Sequence, residues 1–202
     1  MQARPFDSEY FLQSGELTKP FISAQFVYDK VMGDYNKNIT NGIRLTKLDS
    51  LMNFIHSYVK QDNDSDFISE NKYYRTAKEV FESGKSTGTT DFANLFCTFA
   101  RQLGLPTTHL HAADYTWVKQ LKAGKLTRHV SCSFCECYYG GKWLLIDPAN
   151  KKIINDYNPS MISLGYYIGT SCQYVAYMRC IDLGKQHVEE HNKKMEKICF
   201  SI

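Results

Sequence analysis

The sequence predicts an α+β fold in which one central helix packs on an antiparallel sheet. The first observation is a run of large apolar residues at the spacing of one helix face, namely Phe92, Leu95, Phe96, Phe99 and Leu103. The second is a pair of strand-like segments, 130–139 and 142–146, joined by Gly140-Gly141. A Gly-Gly pair favours a two-residue hairpin turn. A helix packed against such a hairpin is an α+β arrangement.

The central helix is predicted to begin near Thr89 and to end at Gly104 and Pro106. A stripe of small residues lies beside the large ones, at Ala93, Cys97 and Ala100. A helix with both stripes is expected to be buried on most sides. Thr89 and Thr90 both suit the N-cap position, where a side-chain oxygen bonds a free backbone N–H. We interpret Thr89 as a helix N-cap.

The rest of the chain follows the same two periodicities. The remaining predicted elements are helices over 45–59, 76–82 and 184–202 and strands over 107–112, 152–154 and within 166–180. Residues 1–40 have weak periodicity and several polar breaks. We therefore interpret 1–40 as an N-terminal extension and 41–202 as the domain.

The composition is that of an ordinary globular domain. The 202 residues are 43% hydrophobic and 22% charged, and the formal net charge is +3. No run of Lys and Arg exceeds a pair, so nucleic acid is not an expected partner. No apolar run approaches the roughly 20 residues that span a membrane. We therefore expect no membrane span.

The cysteines and the N-terminus bear on the compartment. The chain has seven cysteines, an odd number spread over predicted helices and strands, which favours free thiols over a disulfide framework. The first residues lack the apolar core of a signal peptide. Both observations lead us to expect a cytoplasmic location.

Three motifs occur in a fixed order around the central helix and the hairpin. The turn before the helix reads Gly88-Thr89-Thr90-Asp91, the first hairpin strand contains Cys132-x-Phe134-x-Glu136, and the second contains Trp143-x-x-x-Asp147-Pro148. They resemble the transglutaminase-like superfamily, which has a papain-like fold. In that family the motifs read Gly-Cys-Thr-Asp, His-x-Phe/Trp-x-Glu and Trp-x-x-x-Asp-Pro. The resemblance implies that Phe134 and Trp143 pack the sheet against the central helix.

The resemblance also assigns three catalytic positions. Thr89 stands at the position of the nucleophilic cysteine, Cys132 at that of the histidine, and Asp147 retains the third residue. Papain-type chemistry needs a thiolate at a helix N-terminus and an imidazole beside it. With both replaced, the expected protein is a pseudoenzyme with a degenerate triad, used for binding a protein or peptide.

A second hypothesis is that the protein still catalyses a reaction with a cysteine thiol. Cys132 would act with His129 or His111 in a rearranged site, giving a thiol enzyme of the cysteine protease, amidase or transglutaminase type. An offset of three residues along a strand places His129 on the face opposite to Cys132, unless a bulge intervenes. An imidazole near a cysteine sulfur would distinguish this hypothesis from the first.

No cofactor or metal is expected from the sequence. Cys132, Cys135 and Cys137 look like a metal motif, but on a strand only the last two share a face, and structural zinc sites want four ligands. His109 and His111 share a face of a predicted strand. We interpret them as a satisfied surface or core pair rather than as ligands.

Overall fold

A five-stranded antiparallel sheet organises the molecule, with strand order β6-β5-β4-β3-β7. The computed structural model describes residues 7–64, 75–125, 131–159, 174–182, 184 and 193. Within these ranges the strands are β1 Lys60–Gln61, β2 Lys85–Ser86, β3 Thr107–Asp114, β4 Ser131–Tyr139, β5 Lys142–Asp147, β6 Lys152–Ile154 and β7 Tyr174–Cys180. The helices are α1 Ser8–Leu12, α2 Ala24–Thr40, α3 Lys47–Tyr58, α4 Ala77–Ser83, α5 Thr89–Gln102 and α6 Tyr115–Lys122. The short β1 and β2 form a separate parallel pair.

The hairpin of β4 and β5 turns at the predicted Gly-Gly pair. Gly140 and Gly141 have φ angles of 60° and 83°. Two successive positive φ angles are the signature of a type I′ turn, which matches the twist of the flanking strands and favours glycine at both positions. The register pairs Cys135 with Ile146 and Tyr139 with Lys142. The turn thereby fixes which face of the sheet each side chain occupies.

The central helix is α5, as predicted. Every residue from Asp91 to Arg101 is buried. Its large apolar side chains share the main core with α3, α4 and the sheet. This confirms the α+β fold with a central helix on an antiparallel sheet.

The two faces of the sheet have different neighbours. Cys135 and Cys137 face the main core around α5, whereas Phe134 lies in a second cluster on the other face. Trp143 contacts the rings of Phe11 and Tyr138. The expectation that Phe134 and Trp143 pack the sheet on the central helix was therefore wrong, because side chains alternate along a strand and the odd-numbered residues of β4 face α5.

The segment interpreted as an N-terminal extension contains a regular helix. Val27 and Val31 of α2 are fully buried in the main core. They are the two buried residues of this seventeen-residue helix, so the apolar pattern in the sequence is weak. Ser23 caps the helix start by accepting a hydrogen bond from the Phe26 N–H.

Part of the predicted secondary structure lies outside the described residues. This applies to the first part of the β-prone segment, 166–173, and to most of the predicted helix over 184–202. A search of the described helices found none with both the length and the apolarity that crossing a membrane requires.

Candidate functional site

The predicted site lies where α5 begins, against the edge of β4. Pairing between β4 and β5 extends from Tyr139 to Cys135, so Ser133 lies beyond the paired part of β5. The backbone N–H of Ser133 donates instead to Thr89 Oγ1 at 3.0 Å. The first residue of α5 thus takes the place of β5 as the partner of β4 at this corner of the sheet.

The Thr89 hydroxyl therefore bonds to the backbone of β4 and does not cap the helix. Gly88 occupies the N-cap position, and no side chain caps α5 there. The interpretation of Thr89 as an N-cap was wrong. The N-cap motif was a local signal, whereas the observed hydrogen bond joins residues 44 positions apart.

A chain of polar groups runs from the helix start into the protein. Thr90 Oγ1 lies 2.9 Å from Ser133 Oγ, and Ser133 Oγ lies 3.1 Å from His111 Nδ1. His111 Nε2 then lies 2.8 Å from His109 Nδ1. Because Ser133 and both histidines are buried, these hydrogen bonds satisfy groups that water does not reach.

His109 ends this chain in the interior. Burial lowers the pKa of its imidazole to about 3, and the positive charge of Arg101 acts in the same direction. The ring is therefore neutral near pH 7. Its Nε2 atom is buried and has no hydrogen-bond partner among the residues that the structure describes. A buried polar atom without a partner is unusual.

Cys132 projects from the other face of β4. Its thiol donates to the Tyr174 hydroxyl at 3.3 Å, and its side chain packs on the second cluster, with Phe134. His111 contacts Ser133 on the face toward α5. Strand alternation therefore separates the Cys132 and His111 side chains by the thickness of the sheet.

Asp147 ends β5 at the same corner. It is buried, and its carboxylate accepts hydrogen bonds from the backbone N–H and the side-chain amide of Asn150. Alternation places it on the face of Leu145, which is also the face of Cys132. Asp147 thus stabilises the turn after β5, a common role for an aspartate before proline.

An additional imidazole borders this corner. His56 donates from Nε2 to the carbonyl of Pro148 at 2.7 Å, and its ring stacks on Phe92 with 4.6 Å between centroids. Burial lowers its pKa from the ordinary 6.5. The sequence pattern gave no indication of this role, because His56 lies more than 30 residues before the motifs.

A buried ion pair fixes the turn that leads into α5. Arg75 donates to the Asp91 carboxylate at 2.9 Å, and both side chains are almost fully buried. Asp91 also accepts from the N–H and hydroxyl of Thr87, while Arg75 donates to the Lys85 carbonyl and the Ser83 hydroxyl. This network holds the turn from which Thr89 projects.

The two β4 thiols that face α5, those of Cys135 and Cys137, are poor nucleophiles. Cys97 and Cys135 lie with their sulfur atoms 3.6 Å apart in the core. Burial raises the pKa of Cys135 well above its ordinary value and that of Cys137 to about 12. A thiol with a raised pKa is a poor nucleophile because the thiolate is the reactive form.

The three predicted positions belong to α5, β4 and β5, and the contacts around them are as follows. Thr89 contacts the backbone directly beside Cys132, and Asp147 directly follows the last β5 residue paired with β4. The alternative base His129 lies outside the described residues. Side chains alternate along β4, so Ser133 lies on the same face as Cys135 and Cys137. This pattern could have identified Ser133 from the sequence as a residue facing α5.

The fold and the motifs together define the family. The chain belongs to the transglutaminase-like superfamily, whose profile matches residues 27–148, more than half of the sequence. No curated protein matches the chain significantly.

Two solved structures are similar to this chain at low sequence identity. A candidate cysteine protease from Cytophaga hutchinsonii superposes with a TM-score of 0.50 and 15% identity, covering 88% of this chain and 49% of that protein. A structure described as a TGase gives a TM-score of 0.37 and 14% identity, over 68% and 34% of the two chains. The present chain thus spans about half the length of the first of these proteins.

Proposed function

We propose that this chain is a non-catalytic transglutaminase-like domain that binds a protein or peptide at the corner between α5 and β4. The observation that carries the proposal is the hydrogen bond from the Ser133 N–H to Thr89 Oγ1. The sheet thus already holds the hydroxyl of Thr89, the residue that the motif order aligns with the family's reactive cysteine.

The chemistry of the two replaced groups supports this proposal. A threonine hydroxyl needs a strong base to become a nucleophile. The residue at the family histidine position is Cys132, whose thiol bonds to Tyr174. The Cys132 thiol does not take a proton from the Thr89 hydroxyl as an imidazole takes one from the nucleophile of a papain-type site.

The frame around these groups supports a retained binding role. The Arg75–Asp91 ion pair still fixes the turn, and Asp147 still closes the end of β5. Thr89, Thr90 and Cys132 are partly exposed, so a partner can reach this corner. A rigid, partly exposed corner without reacting groups is suited to recognition rather than turnover.

The competing function is a thiol enzyme built on Cys132. Its base would be His111 or His129. The two ring nitrogens of His111 already have partners in Ser133 and His109 on the opposite face of the sheet. That geometry favours the binding module over a Cys132–His111 pair.

An activity comparison separates the two functions. Amide hydrolysis and amine incorporation are measured on a protein substrate with the wild type, Cys132→Ala and the matched control Cys137→Ala. We expect no turnover above background in any of them. Turnover that Cys132→Ala abolishes and Cys137→Ala retains would establish the thiol enzyme instead.

A binding experiment tests the other half of the proposal. Peptides are selected from a displayed random library on the immobilised wild-type chain, and amide hydrogen exchange is compared with and without a selected peptide. We expect new protection within 87–90 and 131–134. Protection confined to other segments, or a failure to select any peptide, contradicts a peptide-binding corner.

A further inference from the structure

We propose that His109, His111 and Cys180 form a binding site for Zn²⁺ or a similar thiophilic divalent cation. The site lies inside the protein, and the proposal does not rest on the proposed binding function. The three potential donor atoms lie within 4.8 Å of one another, and all three residues are buried. They would supply three protein ligands from two strands of the sheet.

The strand register builds the cluster. Residues two apart on a strand share a face, so β3 presents His109 and His111 together. β7 pairs antiparallel with β3, and Cys180 is the direct partner of His109. The ladder is irregular between His111 and Ala112, beyond the two histidines. The regular part of the ladder therefore holds all three side chains.

The donor set suits zinc. Imidazole nitrogen and thiolate sulfur are the usual ligands of Zn²⁺, at about 2.0–2.3 Å. Tetrahedral geometry then separates the donor atoms by about 3.3–3.6 Å. His109 Nδ1 and His111 Nε2 are 2.8 Å apart. Those two nitrogens would have to separate by only about half an ångström if both bind the ion.

An unsatisfied atom provides the second observation. His109 Nε2 is fully buried and lacks a hydrogen-bond partner within the described part of the chain. His109 offers the ion either this nitrogen or Nδ1, which faces His111.

The other nitrogen of His111 already has a suitable partner. Zinc-bound histidines generally donate their second N–H to an oxygen, which fixes the ring orientation. His111 Nδ1 lies 3.1 Å from Ser133 Oγ, and Ser133 Oγ lies 2.9 Å from Thr90 Oγ1. The ion would therefore be linked to the first turn of α5 through one hydroxyl.

The local charge makes the thiolate essential. Arg101 places a positive charge near His109, and this opposes a dication. On binding, the Cys180 thiol transfers its proton to solvent and coordinates as thiolate, which cancels one of the two positive charges. Two neutral imidazoles alone would leave both charges uncompensated. Removal of the Cys180 sulfur is therefore expected to abolish binding rather than weaken it.

Metal analysis of the full chain tests the site. Wild type, Cys180→Ser and the matched control Cys137→Ser are treated with chelator, given Zn²⁺ and passed through a desalting column. We expect one zinc per chain in the wild type and the control, and none in Cys180→Ser. Zinc should raise Tm in the first two only. Circular dichroism verifies that each variant is folded.

Cobalt gives a measurement that does not depend on a variant. Co²⁺ bound to the wild type should show a thiolate-to-metal absorption in the near ultraviolet and the visible bands of a tetrahedral centre. X-ray absorption should find sulfur and nitrogen donors together. A wild type that retains no metal, a spectrum without the sulfur band, or a folded Cys180→Ser that binds as well as the wild type overturns the proposal.

Discussion

Thr89 carries a hydroxyl and a methyl group where the family has a thiol, and its contact explains why the fold accommodates it. The hydroxyl accepts the Ser133 N–H, which β5 no longer reaches. An alkoxide does not form near neutral pH without a strong base. Under the proposed alignment, threonine at this position preserves the structure and supplies no thiol nucleophile.

The contact predicts the effect of an isosteric change. Thr89→Val should lower the free energy of unfolding by about 1–3 kcal/mol, because the buried Ser133 N–H loses its acceptor. Thr116 is an exposed threonine of α6, and Thr116→Val should change stability by less than about 0.5 kcal/mol. Urea unfolding measures both. Equal effects of the two substitutions would show that the Thr89 hydrogen bond contributes nothing.

The raised thiol pKa predicts low reactivity of the core cysteines. With a pKa of about 12, about one Cys137 in 10,000 is ionised at pH 8, and the thiolate is the reactive species. Raising the pH to 9 increases that fraction tenfold and still leaves it small. Mass mapping after brief alkylation should find Cys135 and Cys137 unmodified in the native chain and modified in urea. Rapid native modification of Cys137 contradicts this assignment.

At the scale of elements, the start of α5 depends on a residue far from the helix in sequence. Arg75 ties the turn to Asp91 and to the preceding segment through the Lys85 carbonyl. Burial raises the Asp91 pKa even with Arg75 beside it. The orientation of Thr89 thus depends on a charge pair that is costly to leave half complete.

Arg75→Met should therefore destabilise strongly. The expected loss is about 3–5 kcal/mol, because Asp91 remains as a buried carboxylate without its partner. The control is Lys78→Met, which breaks an exposed pair with Glu82 and should cost less than about 0.5 kcal/mol. Chemical denaturation at pH 7 measures the free energy of unfolding of both variants and of the wild type.

The pH dependence of this deficit has a definite sign. Without Arg75 the Asp91 pKa rises further, so the folded state binds a proton more readily than the unfolded state does. A raised carboxyl pKa stabilises the fold at low pH, and that stabilisation is lost as pH rises through the pKa. The deficit of Arg75→Met should shrink as pH falls from 7 toward 5. A deficit that grows over this range contradicts the ion-pair account.

The elements themselves were largely predictable because they rest on local patterns. The α5 stripe and the Gly-Gly turn follow from spacing and from backbone preference. The α2 helix was harder, since Val27 and Val31 are its only buried residues. Motif order predicted where the candidate site lies in the chain. Its contacts did not, because Thr89–Ser133 and His109–Cys180 join residues distant in sequence.

At the scale of the whole molecule, many residues maintain the fold and few determine the chemistry. The sheet, the central helix and the turn into it form the frame of the transglutaminase-like superfamily. In the proposed function, positions 89 and 132 carry the replaced reacting groups. The central claim is that this frame is intact and that only the reacting groups were exchanged.

The reaction rate of a restored thiol tests that claim most directly. Thr89→Cys combined with Cys132→His restores the family's cysteine at the first residue of α5 and its histidine next to Ser133, whose N–H bonds to position 89. The helix terminus and the imidazole should lower the thiol pKa below its free value of about 8.5. Each single variant should lower the pKa of its thiol less than the double variant does, because the thiol or the imidazole then lacks its partner. Thermal melting verifies that the variants are folded.

The measurement is the rate of alkylation by iodoacetamide at pH 6 to 7, with the modified residue mapped by mass spectrometry. The account predicts that the thiol at position 89 in the double variant reacts faster than any native cysteine and faster than in Thr89→Cys alone. A folded double variant with no thiol more reactive than those of the wild type would contradict it.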